Sequence, residues 1–258
     1  MSTDLEHACK QAVSETDFAV FMDVLGYGSL LLDGSLGADH ARLRHLLEVW
    51  EALTSAIDHA SGLFQVDQAK LFSDSLFVSD GELVKTVAFA ANVYANAYLF
   101  YENLPDRWMP WIRGGVGSGW LVDMLDTTLS SKVAKSQHAY NNPAGPAVAR
   151  AYHLAEKSGL KGMRLLIPED LMTQAWMEMS HASYPNDLPL KHARVLLTKS
   201  PWPSARKDSN GEIFDVPWWW LLDDGLARWR VLRAHEWQAV GPGRDHYEET
   251  DRLLQIDP

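Results

Sequence analysis

Two aspartates stand at positions where a carboxylate is costly to keep. Asp23 lies near the end of the apolar segment 18–25, and Asp74 lies in a Ser-Asp-Ser turn between two further apolar segments. An isolated carboxylate in such surroundings loses hydration without compensation. Taken singly, each fits an ordinary turn residue. Taken together they favour a site for two divalent cations, because Mg²⁺ and similar ions prefer oxygen ligands and a pair of ions can drive phosphoryl chemistry.

Two further sets of residues have types that can contact phosphate. Gly26, Tyr27 and Gly28 follow the first aspartate, and the backbone N–H groups of such a turn can cradle a polyphosphate, although glycine after a strand is usually a plain turn. Arg113 lies inside another apolar segment. It fits either a phosphate contact or a structural salt bridge, and both alternatives stay open.

The elements that must position these residues follow the order β-α-β-β-α-β-α-β. Apolar runs and alternation predict strands at 18–25, 64–72, 76–78, 111–116 and 163–167. Helical spacing predicts helices at about 37–60, 80–102 and 146–157, with one more opened by Pro168. This order predicts an α+β fold with helices packed on a largely antiparallel sheet. If the hairpin strands lie beside the first strand, the two aspartates meet at one sheet edge.

Each predicted helix has a stripe of apolar residues expected to face the core. The stripe of the first helix is Leu43, Leu46, Leu47, Trp50 and Leu53; that of the second is Leu83, Val87, Ala91, Tyr94 and Tyr98; that of the third is Val148, Ala151, Tyr152 and Ala155. Residues 184–258 differ in composition and are rich in Pro and Trp. We therefore predict one domain over 1–183 and a C-terminal extension over 184–258 that packs on this domain or on a dimer interface.

Composition excludes several classes of protein. The net charge of -11 argues against a protein that coats DNA or RNA, and the eleven tryptophans are interpreted as packing residues. No segment approaches the roughly 18 apolar residues of a membrane span. A single cysteine, Cys9, and an acidic N-terminus unlike a signal peptide lead us to expect a soluble, cytoplasmic protein.

Four short segments carry a family resemblance. They are FMDVLGY at 21–27, KLFSDS at 70–75, RGGVGSG at 113–119 and GPAVARAY at 145–152. In this order they resemble the catalytic domain of class III adenylate/guanylate cyclases and, more closely, the pyrimidine cyclases of the Pycsar antiphage systems. The resemblance covers roughly residues 17–170 and implies the class III nucleotidyl cyclase catalytic fold for the domain predicted over 1–183. It also implies a homodimer with shared active sites, and Asp23 and Asp74 as ligands of two Mg²⁺ or Mn²⁺ ions.

The resemblance also bears on the substrate. Lys70 falls where these cyclases place a base-reading lysine, and Asn142 falls where adenylate cyclases place a base-reading aspartate. An asparagine can accept from uracil N3–H and donate to O4, whereas an aspartate can only accept. We therefore expect UTP as the substrate, with CTP as the next alternative. The resemblance implies that the product, 3′,5′-cyclic UMP, is an antiphage signal read by a separate effector protein.

One part of the family pattern is missing. Ala149 and His153 stand where class III cyclases usually carry an asparagine that orients the ribose and an arginine that stabilises the transition state. Alanine offers no side-chain hydrogen bond, and a neutral histidine replaces a guanidinium poorly. Either Arg113, Arg150 or His153 contributes in another way, or the chain is a non-catalytic nucleotide-binding dimer. A purine nucleotide cyclase is a further alternative.

Overall fold

The computed structural model describes residues 17–25, 40–72, 74–100, 111–123, 143–181, 196, 202–209, 211–222 and 244–256. The strands are β1 (Asp17–Val24), β2 (Gln68–Phe72), β3 (Ser75–Asp80), β4 (Ile112–Gly119), β5 (Val122–Asp123), β6 (Pro143–Ala144), β7 (Arg164–Pro168), β8 (Ser204–Asp208) and β9 (Gly211–Asp215). The helices are α1 (His40–Leu63), α2 (Leu83–Phe100), α3 (Pro146–Lys157), α4 (Glu169–His181) and α5 (Arg244–Leu254), with a 3₁₀ turn at Trp218–Leu221.

Seven strands form one sheet in the order β2-β3-β1-β4-β7-β9-β8, and β5 pairs with β6 separately. The β4–β7 pair is parallel, and the other pairs in the large sheet are antiparallel. The predicted α+β architecture is confirmed. The strand β1 is buried on both faces: Phe18 and Val20 belong to the main core with α1 and α2, whereas Ala19 packs with α3. Its short apolar segment therefore forms an interior strand.

Helix α3 lies unusually close to β4 because the facing residues are small. A Cβ added to Gly115 would lie 2.5 Å from the carbonyl oxygen of Ala151, and one added to Gly117 would lie 2.4 Å from that of Ala147. The bounds of α3 agree with the prediction, but its buried residues are Ala147, Ala151 and Ala155. The predicted inclusion of Tyr152 is wrong, since its side chain is 46% exposed. Close backbone packing leaves no room for a tyrosine.

The apolar stripe predicted for α1 is also wrong in part. Leu47 is 61% exposed and Trp50 is 38% exposed, while Leu53 is buried as expected; the side chains of Leu43 and Leu46 lie outside the described residues. The buried face of α1 instead contains Val49, Leu53 and the alanines 52, 56 and 60. Small residues let α1 approach α2 closely. The stripe predicted for α2 is confirmed, since all five of its residues are buried.

The C-terminal part of the described chain continues the main sheet. The strand β9 pairs with β7, and β8 pairs with β9. Trp218 is fully buried, and its ring lies 5.7 Å from that of Tyr94 and 5.7 Å from that of Tyr98. Packing is thus the role of this tryptophan, as interpreted. The boundary between 183 and 184 stays a prediction. Within the described residues, no helix has the length and apolar character needed to cross a bilayer.

Candidate functional site

The two aspartates come together because β1 and β3 are neighbours. Asp23 lies opposite Ser75 in the antiparallel register, and Asp74 directly precedes β3. The backbone N–H of Val24 donates to the carbonyl oxygen of Asp74 at 3.0 Å. Both aspartates line a narrow cavity whose other walls are apolar. Their predicted convergence at one end of the sheet is confirmed, whereas their role as metal ligands stays a prediction.

The carboxylate of Asp23 lies in an environment of excess negative charge. Burial raises the pKa of Asp23 to about 6. The Ser75 hydroxyl, which donates to Oδ1 at 2.8 Å, lowers this pKa, while the charges of Asp74 and Glu156 raise it and that of Arg113 lowers it. An added cation would remove the repulsion between the carboxylates.

The donor set fits divalent ions that take part of their shell from elsewhere. Two close carboxylates supply the hard oxygen ligands that Mg²⁺ and Mn²⁺ accept. Across the described ranges, no group of three or more His, Cys, Asp or Glu forms a complete metal cage. Water and substrate oxygens could serve as further ligands of ions held by Asp23 and Asp74.

Arg113 lies directly beside this site. It stands opposite Asp23 in the β1–β4 register, and its guanidinium forms an ion pair with Glu156 of α3. The salt bridge that the sequence left open is therefore present. The Nε of Arg113 is buried and has no hydrogen-bond partner. One donor of this guanidinium thus remains unused close to the carboxylates.

Lys70 lies on the same face of the sheet, farther toward its edge. It stands opposite Phe77 on β3, and Phe77 stands opposite Phe21 on β1. Paired residues in antiparallel strands point to the same face. Lys70 is half-buried. The remaining candidates Gly26, Tyr27, Gly28 and Asn142 lie outside the described residues.

His153 lines a separate groove. Together with Ala149, Arg150 and Asp170 it borders a groove of about 630 Å³ formed by β4, α3 and the start of α4. The guanidinium of Arg150 donates to the carbonyl oxygen of Ser118 at 2.8 Å across this groove. The groove shares no lining residue with the cavity at Asp23. Within one chain, His153 and the two aspartates therefore line different depressions.

Sequence reasoning missed two residues of the site. Ser75 was visible as a hydroxyl beside Asp74, and the predicted hairpin already placed it near the first strand. Glu156 had no local signal, because it lies 43 residues from Arg113 in the chain. Its position depends on how α3 packs across β4.

The comparisons with known proteins concern the fold. No protein-family model and no curated protein matches the sequence. The solved adenylyl cyclase CyaB from P. aeruginosa is similar with a TM-score of 0.50 and 12% identity, over 79% of this chain and 94% of that chain. The guanylyl cyclase Cya2 gives a TM-score of 0.47 and 11% identity, over 63% of this chain and 79% of that chain. The similarity to CyaB confirms the predicted nucleotidyl cyclase catalytic fold.

Proposed function

We propose that this chain is a nucleotidyl cyclase, which converts a nucleoside triphosphate into a 3′,5′-cyclic monophosphate and pyrophosphate. The observation that carries the proposal is the pair Asp23 and Asp74 on neighbouring elements of a cyclase fold. Their charges repel each other, so the chain maintains them at a cost that a bound cation would offset. A fold alone can host many functions, and the proposal therefore rests on this site.

The side chains have distinct tasks in the proposed reaction. Asp23 and Asp74 would hold two divalent ions, Mg²⁺ or Mn²⁺. When bound, such ions lower the pKa of the ribose 3′-hydroxyl and offset the charge of the triphosphate. Ser75 orients the Asp23 carboxylate through one oxygen, and Arg113 offers its guanidinium to phosphate oxygens. The 3′-oxygen then attacks the α-phosphorus while its proton passes to solvent, and the bond to the departing pyrophosphate breaks.

The proposed substrate is UTP. In this assignment Lys70 donates to a uracil carbonyl oxygen, and Asn142 accepts from N3–H while it donates to O4. Support comes from the resemblance of the segments at 70–75 and 145–152 to pyrimidine cyclases of antiphage systems. The proposal extends to cyclic UMP as a cytoplasmic antiphage signal that a separate effector protein binds.

The proposed enzyme works as a homodimer with shared active sites. In one chain the carboxylates and the groove at Arg150 and His153 have no lining residue in common. The family resemblance nevertheless assigns the positions of Ala149 and His153 to the same active site as the metal-binding aspartates. Two facing copies would let Arg150 and His153 of one chain reach a triphosphate held by Asp23 of the other.

A second candidate is a nucleotide-binding dimer without turnover. The observation that favours it is Ala149 and His153, where class III cyclases usually carry an asparagine and an arginine. Such a protein would bind nucleotide and metal but release no pyrophosphate.

One experiment separates these candidates. The full chain is incubated with Mn²⁺ and each of ATP, GTP, CTP and UTP; pyrophosphate release is followed and the product identified by mass. We expect cyclic UMP from UTP, and no product with any nucleotide from the Asp74→Asn variant. Nucleotide binding without pyrophosphate release would favour the second candidate. The Asn142→Asp variant should shift base preference, and unchanged UTP selectivity would refute the base-reading assignment.

A further inference from the structure

The pairing of Arg113 is unexpected for a residue in its position. Asp23 on β1 and Arg113 on β4 stand opposite each other in an antiparallel register. Opposite Cα atoms in such a ladder lie about 4.5–5.5 Å apart, and their side chains point to the same face. An arginine is long enough to bond a carboxylate at that separation. Its guanidinium nevertheless pairs with Glu156 of α3.

A bond between Arg113 and Asp23 would harm the proposed metal site. A guanidinium fork occupies carboxylate oxygens in the same way as a cation does, often through two parallel hydrogen bonds. Its positive charge would also repel an arriving metal ion. The Ser75 hydroxyl already uses one oxygen of Asp23. An arginine on the remaining lone pairs would therefore compete directly with Mg²⁺ or Mn²⁺.

Glu156 is well placed to prevent this competition. The Arg113 and Glu156 side chains are 16% and 23% exposed, so solvent only partly screens their pair. The backbone of α3 beside Glu156 is fixed by close packing, since a Cβ on Gly115 would lie 2.8 Å from the backbone nitrogen of Ala155. The carboxylate of Glu156 thus has a defined position above β4.

We propose that Glu156 is a positioning residue that draws the Arg113 guanidinium away from Asp23 and so keeps the carboxylate pair free for divalent cations. This inference rests on the proposed function. It gives the helix α3 a task in metal binding that does not require Glu156 to touch the ion. The Nε of Arg113 is buried and has no hydrogen-bond partner, so Glu156 provides the ion pair of this guanidinium.

The test is Mn²⁺ binding to the full chain without nucleotide, followed by the electron paramagnetic resonance signal of free Mn²⁺. We expect Glu156→Gln to weaken Mn²⁺ binding at least about fivefold. This factor is the low end of the effect that one site of a protein commonly has on binding at another. The double variant Glu156→Gln with Arg113→Met should bind Mn²⁺ at least as tightly as the wild type, because no guanidinium competes. The exposed Glu169→Gln is the control for loss of one negative charge away from Asp23 and should bind like the wild type.

Three outcomes would decide against the inference or its premise. Unchanged Mn²⁺ affinity in Glu156→Gln would overturn it. Equally weak binding in the single and double variants would also overturn it, because Glu156 would then act on the metal directly or through the fold. Wild-type Mn²⁺ affinity in Asp74→Asn would instead remove the proposed metal site itself. Unfolding temperatures of all variants identify any that have lost the fold, and the double variant keeps the test decisive because it removes both members of the Arg113–Glu156 ion pair together.

Discussion

Two regions of the molecule keep charged groups away from water, and they do so in opposite ways. In the C-terminal region Arg164 is almost fully buried and forms ion pairs with Asp215 and Glu249. Its Nε also donates to the carbonyl oxygen of Lys161 at 2.6 Å. Two strands away, on β1, Asp23 has a second carboxylate as its neighbour. We call the region at Arg164 compensated, because its charges are paired within the chain, and the region at Asp23 uncompensated, because two further carboxylates act on Asp23 against one arginine.

The sign of the neighbouring charge separates the two regions better than the pKa does. Burial raises the pKa of Asp215 to about 6, and Arg164 lowers it. The pKa of Asp23 is likewise raised to about 6, mainly by burial; there the charges of Asp74 and Glu156 contribute to the rise, while the Ser75 hydrogen bond and Arg113 oppose it. Similar values therefore arise from different surroundings. A perturbed pKa marks a candidate site only together with its causes.

The C-terminal helix is attached at the same buried arginine. Glu249 of α5 pairs with Arg164, and Thr250 Oγ1 accepts the backbone N–H of Met163 at 2.8 Å. Gly162 has a φ of +92°, and a Cβ there would lie 3.2 Å from the backbone nitrogen of Thr250. This close approach requires glycine. The region is thus tied together at several points.

The largest effect should come from the uncompensated region. We expect Asp74→Asn to lower cyclase activity at least about 100-fold, because metal ligation supplies several kcal/mol of transition-state stabilisation. The same change relieves repulsion with Asp23, so the unfolding temperature should stay equal or rise. Pyrophosphate release and thermal unfolding measure the two effects. A folded variant with full activity would contradict the metal-binding role.

The compensated region should respond in stability. We expect Arg164→Met to cost about 3–5 kcal/mol of the free energy of unfolding, since it leaves the buried Asp215 carboxylate without its partner. Urea unfolding followed by tryptophan fluorescence measures this cost. The exposed Lys207, which pairs with Glu212 at 2.8 Å, provides the control, and Lys207→Met should change stability little. An equal cost in both variants would show that burial does not set the contribution of these pairs.

Added metal should raise the free energy of unfolding through the region at Asp23 and not through the region at Arg164. Mn²⁺ at about 100 times its dissociation constant should raise the free energy of unfolding by about 2.7 kcal/mol. The gain should disappear in Asp23→Asn and persist in Arg164→Met if that variant folds. Thermal unfolding with and without Mn²⁺ measures it. An equal gain in Asp23→Asn would place the ion elsewhere.

The smallest effect concerns pH and the attachment of α5. His246 Nδ1 accepts the backbone N–H of Gly162 at 3.0 Å, which requires an unprotonated Nδ1. Burial lowers the pKa of His246 below 6.5, and Lys161 and Arg113 lower it further. The unfolded chain then binds the proton more tightly, so stability is lost as pH falls below 6.5 toward the folded pKa. His246→Gln should flatten this slope in urea unfolding at pH 5.5 and 7.5, and an unchanged slope would assign it to other groups.

Much of the fold was readable from local pattern. The bounds of α3 agree with the prediction because Gly145 and Pro146 mark its start and its helical spacing is regular. The convergence of Asp23 and Asp74 was also predictable, since a short hairpin beside an apolar strand leaves few arrangements. The loss of Tyr152 from the buried face was not, because close packing against Gly115 depends on contact between distant segments.

The amino-acid order by itself therefore specified the succession of elements and the two carboxylates that the proposed chemistry needs. These follow from hydrophobic spacing, turn residues and charge, which act over a few positions of the chain. Only the folded arrangement chose the alanine face of α3, joined β9 to β7 and set Glu156 against Arg113. These contacts depend on how well whole helices and strands pack against one another, and the elements involved are far apart in the chain. The residues near each position therefore do not predict them.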